Sequence, residues 1–206
     1  MYTLYYLPGA CSLAIQVLLR ELGQDVELVH RDQAENFTAI NPTNAVPVLE
    51  DGAQVVREGA AIILHLLEKH DNDMLPAAGP DRIRAIEEIL FANATVHPAY
   101  GKLFFLEGAL EEGPAKTAAM KVAAESVTKL WRIVEDKLAD QPFLGGTRPS
   151  VADILLTVYA AWGDYFPVEI LWGPKVEALL DAVRKRPAFL ASQVAEKASA
   201  PKPATV

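Results

Sequence analysis

The sequence predicts two domains of different class, an α/β domain over residues 1–76 and an all-helical domain over residues 82–200. Three observations carry this. The first seventy residues mix stretches of alternating polarity with stretches of helical spacing. Residues 71–79 then bring Asp71, Asn72, Asp73, Pro76 and Gly79 together with no apolar period, which reads as a linker. Beyond it the apolar residues recur only at helical intervals. A chain of 206 residues that is 51% hydrophobic holds enough apolar material for a core in each part.

The elements follow in order. Tyr2-Thr3-Leu4-Tyr5-Tyr6-Leu7 is an aromatic and branched strand. Pro8-Gly9-Ala10-Cys11-Ser12 turns the chain, and Leu13 to Leu22 is an apolar helix with Ser12 as its expected N-cap. Val26 to His30 alternates as a half-buried strand. The segment from Arg31 to Ile40 is irregular. Val46–Leu49 and Gln54–Arg57 form a hairpin around Asp51-Gly52. Glu58 to His70 is a helix with Ile62, Ile63, Leu66 and Leu67 on one side. Strand, helix, strand, irregular segment, two strands and a helix make a thioredoxin-like layout.

In the second part, Arg82 to about Leu106 reads as one helix kinked at Pro98. Pro114 opens the next, which runs to about Asp140. Residues 142–149 are a loop. Ser150-Val151-Ala152-Asp153 is a capping box that starts another helix, a signal of folding rather than catalysis. Pro174 and Pro187 punctuate two final helices, and the Ala-, Pro- and Lys-rich tail from Ala198 is expected to fray.

Composition excludes several function classes. The net charge is −8, and no basic stripe suits nucleic acid. No apolar run is long enough to span a membrane. The N-terminus lacks a basic leader, and a single cysteine fits a reducing cytoplasm. The four histidines show no metal-ligand spacing. Residues 1–70 hold four basic and nine acidic side chains, a net of −5, so attraction of an anion to this part must be local.

Local chemistry points to the first turn. Cys11 sits where a strand ends and a helix begins, and the free N–H groups and positive end of a helix favour an anion or thiolate there. The plainer role of a lone cysteine is that of a small buried hydrophobe. Tyr5 and Tyr6 alternate across their strand, which puts one in the core and the other nearer the turn.

Tyr5-Tyr6-Leu7-Pro8-Gly9-Ala10-Cys11-Ser12 resembles the opening of the bacterial, beta-class glutathione transferases. Asn41-Pro42, Val46-Pro47-Val48-Leu49, Glu58-Gly59-Ala60-Ala61-Ile62, Leu75-Pro76 and Ser150-Val151-Ala152-Asp153 follow in that family's order. The resemblance implies a cytosolic glutathione transferase fold and a homodimer that meets through the fourth and fifth helices. It implies glutathione as co-substrate, a small apolar electrophile as second substrate, and no metal. On this reading Cys11 or Ser12 contacts the glutathione sulfur, and His97 assists from the helical domain. Tyr6 matches the tyrosine nearest the turn, although a structural role suits it equally. Pro47 is cis in such folds, so Val46 offers its backbone to the tripeptide as an added strand would. Gly59 and Glu58 receive the γ-glutamyl carboxylate and amino group. Trp162, Tyr165 and Phe166 line an apolar second site.

Each of these residues also has a plainer role. Val46-Pro47 fits an ordinary turn, Glu58 a favourable acid at a helix start, and His97 a structural histidine. Two departures stand out. The 31–40 segment is short, and it has Arg31 but no lysine for the glycine end of glutathione. Two other activities therefore stay open, a glutathione-dependent thiol-disulfide reductase acting through Cys11 and a non-catalytic binding or regulatory protein.

Overall fold

The computed structural model describes residues 1–200. It contains strands β1 (Tyr2–Tyr6), β2 (Val26–His30), β3 (Val48–Asp51) and β4 (Gln54–Val56). Its helices are α1 (Ser12–Glu21), α2 (Phe37–Ile40), α3 (Gly59–Lys69), α4 (Gly79–Leu90), α5 (His97–Ala109), α6 (Pro114–Leu138), α7 (Val151–Ala160), α8 (Pro174–Arg184) and α9 (Pro187–Ser199). The chain divides into two units, Met1–Leu75 with the segment from Lys185 onward, and Pro76–Arg184.

In the first unit the sheet order is β2-β1-β3-β4. β1 runs parallel to β2, with Tyr6 opposite His30, and antiparallel to β3, with Tyr2 opposite Asp51. β1 is the inner strand, and its aromatic run is buried at four of five positions. β4 closes one edge with three residues, a length that limits pairing with other chains.

Helix α1 is buried without a break from Ser12 to Leu19. A helix apolar on every face must be covered on every face. It packs against β1, α3 and α9. This corrects the expected domain boundary, since residues 185–200 pack with the first unit rather than the helical one. The cover is anchored by Arg186, whose Nε and Nη2 donate to the two carboxylate oxygens of Glu21 at 2.7 and 2.6 Å. Ala198 and Ser199, expected to fray, complete α9, and the tail beyond residue 200 lies outside the described residues.

The second unit is helical. Where one kinked helix was expected over 82–106, α4 and α5 are joined by a π-helical turn, Phe91–Val96. Pro98 has no N–H to donate, and its ring would strike the carbonyl one turn back in a regular helix; the wider turn removes that conflict. In the core the Trp131 indole donates to the Tyr100 hydroxyl at 2.9 Å. The capping box forms as read. Ser150 N–H and hydroxyl both donate to Asp153 Oδ2 at 2.7 Å, and Leu144 N–H donates to Asp153 Oδ1 at 2.9 Å. Burial pushes the Asp153 carboxyl up, while these donors pull it down.

Asp153 thus satisfies donors on both the loop and the helix, whereas Ser150 supplies one cap. Asp153→Ala should cost about 3 kcal/mol and Ser150→Ala about 1 kcal/mol. Urea denaturation of the two variants measures both, and equal losses would show that Asp153 is no hub.

Candidate active site

The site is built where β1 hands over to α1. Ala10 N–H donates to the Leu7 carbonyl at 3.1 Å, and Leu13 N–H donates to the Ala10 carbonyl at 3.0 Å. Gly9 takes the left-handed conformation (φ +71°) that this tight reversal requires. Cys11 follows as the residue flanking α1, half-buried and unpaired in any disulfide.

A second segment meets it from the loop before β3. Asn41 is 4% exposed and shapes this loop from within. Its Nδ2 donates to the Ala45 carbonyl at 2.8 Å, and its Oδ1 accepts from the Thr43 N–H and hydroxyl at 3.3 and 3.0 Å. The Val46–Pro47 peptide is cis. The Cys11 thiol donates to the Val46 carbonyl at 3.3 Å. Two residues named from the sequence, 35 positions apart, are thereby in direct contact.

The state of that thiol differs from expectation. A helix start was expected to favour the thiolate. Burial instead pushes the Cys11 thiol up to about 11, and nearby backbone N–H groups offset this only in part. At neutral pH Cys11 is a thiol that donates.

Ser12 is also corrected. Its hydroxyl does not cap α1; it donates to the Leu7 carbonyl at 3.3 Å and accepts from Leu7 N–H at 3.4 Å. The helix begins at Ser12 itself, one residue too late for a cap, and the side chain is fully buried. Tyr6 likewise packs instead of presenting a ligand contact. It is fully buried, and its hydroxyl donates to the Glu196 main-chain carbonyl at 3.3 Å. Tyr5 is buried too, with its hydroxyl on Glu50 Oε1 at 3.0 Å.

Glu58 is exposed and extended immediately before α3, and its side chain caps nothing. The first N–H groups of α3, from Gly59 onward, have no carbonyl one turn back to bond. Arg31 lies in a single 3-10 turn, Arg31–Gln33, its Nε donating to Asp32 at 2.7 Å and its Nη1 to the Asn44 carbonyl at 3.5 Å. Among the described residues no cluster of histidine, cysteine and carboxylate side chains is arranged to hold a metal ion.

His97 belongs to the helical unit, at the start of α5. Its ring meets Tyr159 and Trp162 edge-on, each at 5.1 Å, and burial lowers its pKa, so it is neutral at pH 7. Trp162 and Phe166 are buried and Tyr165 is exposed. Phe104 packs against all three.

One residue was missed in the sequence. Glu196 on α9 is 4% exposed, and its Oε2 accepts from Gly9 N–H at 3.0 Å, inside the Cys11 turn. The signal existed, since Phe189, Ser192 and Glu196 share one helical face, but nothing local says that this face meets the turn.

Two family models match, the N-terminal domain of glutathione S-transferase over residues 4–74 and its C-terminal domain over residues 93–187. Glutathione S-transferase GST-4.5 of Xanthomonas campestris pv. campestris is 30% identical over 173 residues, 81% of this chain and 85% of the relative. The chain belongs to the glutathione S-transferase family. Among solved members, a sphingomonad glutathione S-transferase in complex with glutathione is 32% identical with a TM-score of 0.81, over 95% of this chain and 98% of that one. The bacterial beta-class glutathione S-transferase of Sphingomonas chungbukensis is 27% identical with a TM-score of 0.81, over 94% and 98%. The thioredoxin-like sheet with a helical partner is therefore the fold of this family.

With the thiol at about 11, only about one molecule in a thousand carries a Cys11 thiolate at pH 8. Alkylation of Cys11 by iodoacetamide should be slow at neutral pH and accelerate through pH 9–11. A rate that levels off below pH 8 would show an activated thiolate instead.

Proposed function

We propose that the protein is a glutathione transferase of bacterial type, in which the first unit binds glutathione and the glutathione sulfur attacks a small apolar electrophile. The observation that carries this is the meeting of Cys11 with the Val46 carbonyl beside the cis Val46–Pro47 bond, in a chain of this family. An extended tripeptide docks along Val46 by main-chain hydrogen bonds, as an added strand does. Its γ-glutamyl end reaches the start of α3, where Gly59 and its neighbours supply free N–H groups and Glu58 accepts from the amino group.

The chemistry requires a glutathione thiolate. A new carbon–sulfur bond forms with the electrophilic carbon, the leaving group departs with the bonding pair, and the glutathione proton goes to solvent. A protonated Cys11 suits this step, because it donates to the incoming thiolate and lowers its pKa. The same protonation argues against a reductase, which needs Cys11 as the nucleophile. Within the helical unit, Phe104 packs edge-on against Trp162 and Phe166, and neutral His97 packs edge-on against Trp162, an aromatic group of the apolar kind such an electrophile favours.

The protein is proposed to act in the cytoplasm. No helix among the described residues is long and apolar enough to cross a membrane. A homodimer is proposed through the helices of residues 79–138, where Ile83 (66% exposed) and Phe105 (70% exposed) leave apolar surface uncovered. Sedimentation equilibrium should give twice the chain mass, and Phe105→Glu should lower it.

Calorimetric titration with reduced glutathione should give one site per chain with a micromolar to low-millimolar Kd. An absence of binding at about 10 mM would leave a binding module without this ligand. With an activated aryl halide as electrophile, Cys11→Ala should keep glutathione binding and lose about tenfold in kcat, the loss of one hydrogen bond to a charged sulfur. Complete loss of turnover would return Cys11 to the role of nucleophile.

A further inference from the structure

Glu196 is a buried carboxylate that the chemistry above does not use. Its Oε2 accepts from Gly9 N–H at 3.0 Å and its Oε1 from Gln16 Nε2 at 2.8 Å, with Gln16 itself fully buried. Its main-chain carbonyl accepts from the Tyr6 hydroxyl at 3.3 Å. Tyr6 ends β1, Gly9 is the left-handed residue of the turn, and Gln16 lies in the second turn of α1. One residue of the last helix therefore grips the chain on both sides of Cys11. Packing alone does not call for a carboxylate here, since Phe189 and Ser192 fill the same face of α9 without charge.

We propose that Glu196 is a positioning residue, whose carboxylate holds the Gly9 turn in the shape that presents Cys11 to glutathione. The consequence for glutathione rests on the function proposed above; the clamp on the turn does not. A charged acceptor binds an N–H about twice as strongly as a neutral one. Removing it takes a charged acceptor from the Gly9 N–H, and the loosened Pro8–Gly9 peptide can rotate and carry Cys11 away from Val46.

The clamp is sensitive to protonation. Burial pushes the Glu196 carboxyl up to about 7, against the hydrogen bonds from Gly9 and Gln16. On protonation one oxygen becomes a donor. Gln16 Oε1, buried and without a hydrogen-bond partner, can take that proton once the amide turns over, which weakens the hold on the turn. The hold is thus strongest above about pH 7 and relaxes below it. The other ionisable groups on the elements packed around α9 include Tyr6 on β1, His30 on β2 edge-on to Tyr6 at 5.6 Å, and Arg20 on α1, with the Glu21–Arg186 pair where α9 begins. A Glu196 variant leaves all of these in place, so comparison with the wild type isolates Glu196.

The test follows the Gly9 amide in ¹⁵N-labelled protein, without glutathione, from about pH 5 to about pH 9. The wild-type amide should titrate once, near pH 7, and Glu196→Gln should abolish that titration while circular dichroism shows the fold intact. A Gly9 amide that titrates identically in Glu196→Gln overturns the clamp. Kinetics then test its consequence. Glu196→Ala should raise KM for glutathione about tenfold while kcat changes by less than about threefold. Glu196→Gln, which keeps an acceptor, should fall between the two and lose the rise in KM below pH 7. A KM within about twofold of wild type in Glu196→Gln at every pH overturns the positioning role, including where Glu196→Ala fails to fold. If the wild-type protein binds no glutathione, the proposed function fails, and the amide titration still decides whether Glu196 sets the turn.

Discussion

Helix α1 constrains everything around the candidate site. It is buried continuously from Ser12 to Leu19, so each of its faces must meet another element. The sheet and α3 cover part of it, and α9 returns from the far end of the chain to cover more. In an interior packed to crystal-like density, a helix held from several sides has no freedom to slide or rotate. Its first turn inherits that rigidity, which keeps the Cys11 thiol within 3.3 Å of the Val46 carbonyl. The cost is that Gln16, a polar residue on a buried helix, needs a partner, and α9 supplies it in Glu196.

The same burial decides the chemistry of Cys11. Two effects oppose each other at the start of α1. The positive helix end favours a thiolate by about 0.3–1 kcal/mol at ordinary sites. Loss of water disfavours it, and the net result is a thiol pushed from 9.0 up to about 11, a difference of about 3 kcal/mol. Desolvation wins because Cys11 sits against the Val46 loop rather than at an open helix end. A cysteine in this state is a weak nucleophile that keeps its proton, and under the proposed function that proton is what it offers a bound thiolate.

Local signals in the sequence were sufficient for much of this. Pro114, Pro174 and Pro187 mark the starts of α6, α8 and α9, and Ser150 with Asp153 marks that of α7. The shortness of residues 31–40 showed in the four residues of α2. The misreadings of Cys11 and α9 share one cause, dependence on contacts distant in sequence. Cys11 looks activated until Val46 is packed beside it. α9 reads as one more helix of the second domain, and only the bare face of α1 explains its return. The other two are local. Ser12 looks like an N-cap, but the turn places its hydroxyl on Leu7, five residues back. At the π turn, Phe91–Val96, Pro98 gave a warning but not the form of the remedy.

Charge completes the picture of recognition. Residues 1–70 carry a net of −5, and glutathione is itself an anion. Of the basic side chains near the Val46 loop, Arg57 donates to the Ile40 carbonyl at 2.7 Å, and Arg31 already donates to Asp32 at 2.7 Å and so brings little free positive charge. Attraction through the overall field is therefore unfavourable, and a surface pair of this kind adds little. Under the proposed function, binding rests on neutral dipoles held in place: the Val46 main chain, the N–H groups at the start of α3, and the Cys11 thiol. Such donors are useful only if they do not move, because each disordered group must be ordered again at the moment of binding. On that reading the task falls to the scaffold, and the buried Glu196 carboxylate on α9 serves it by holding the Gly9 turn near the start of the chain.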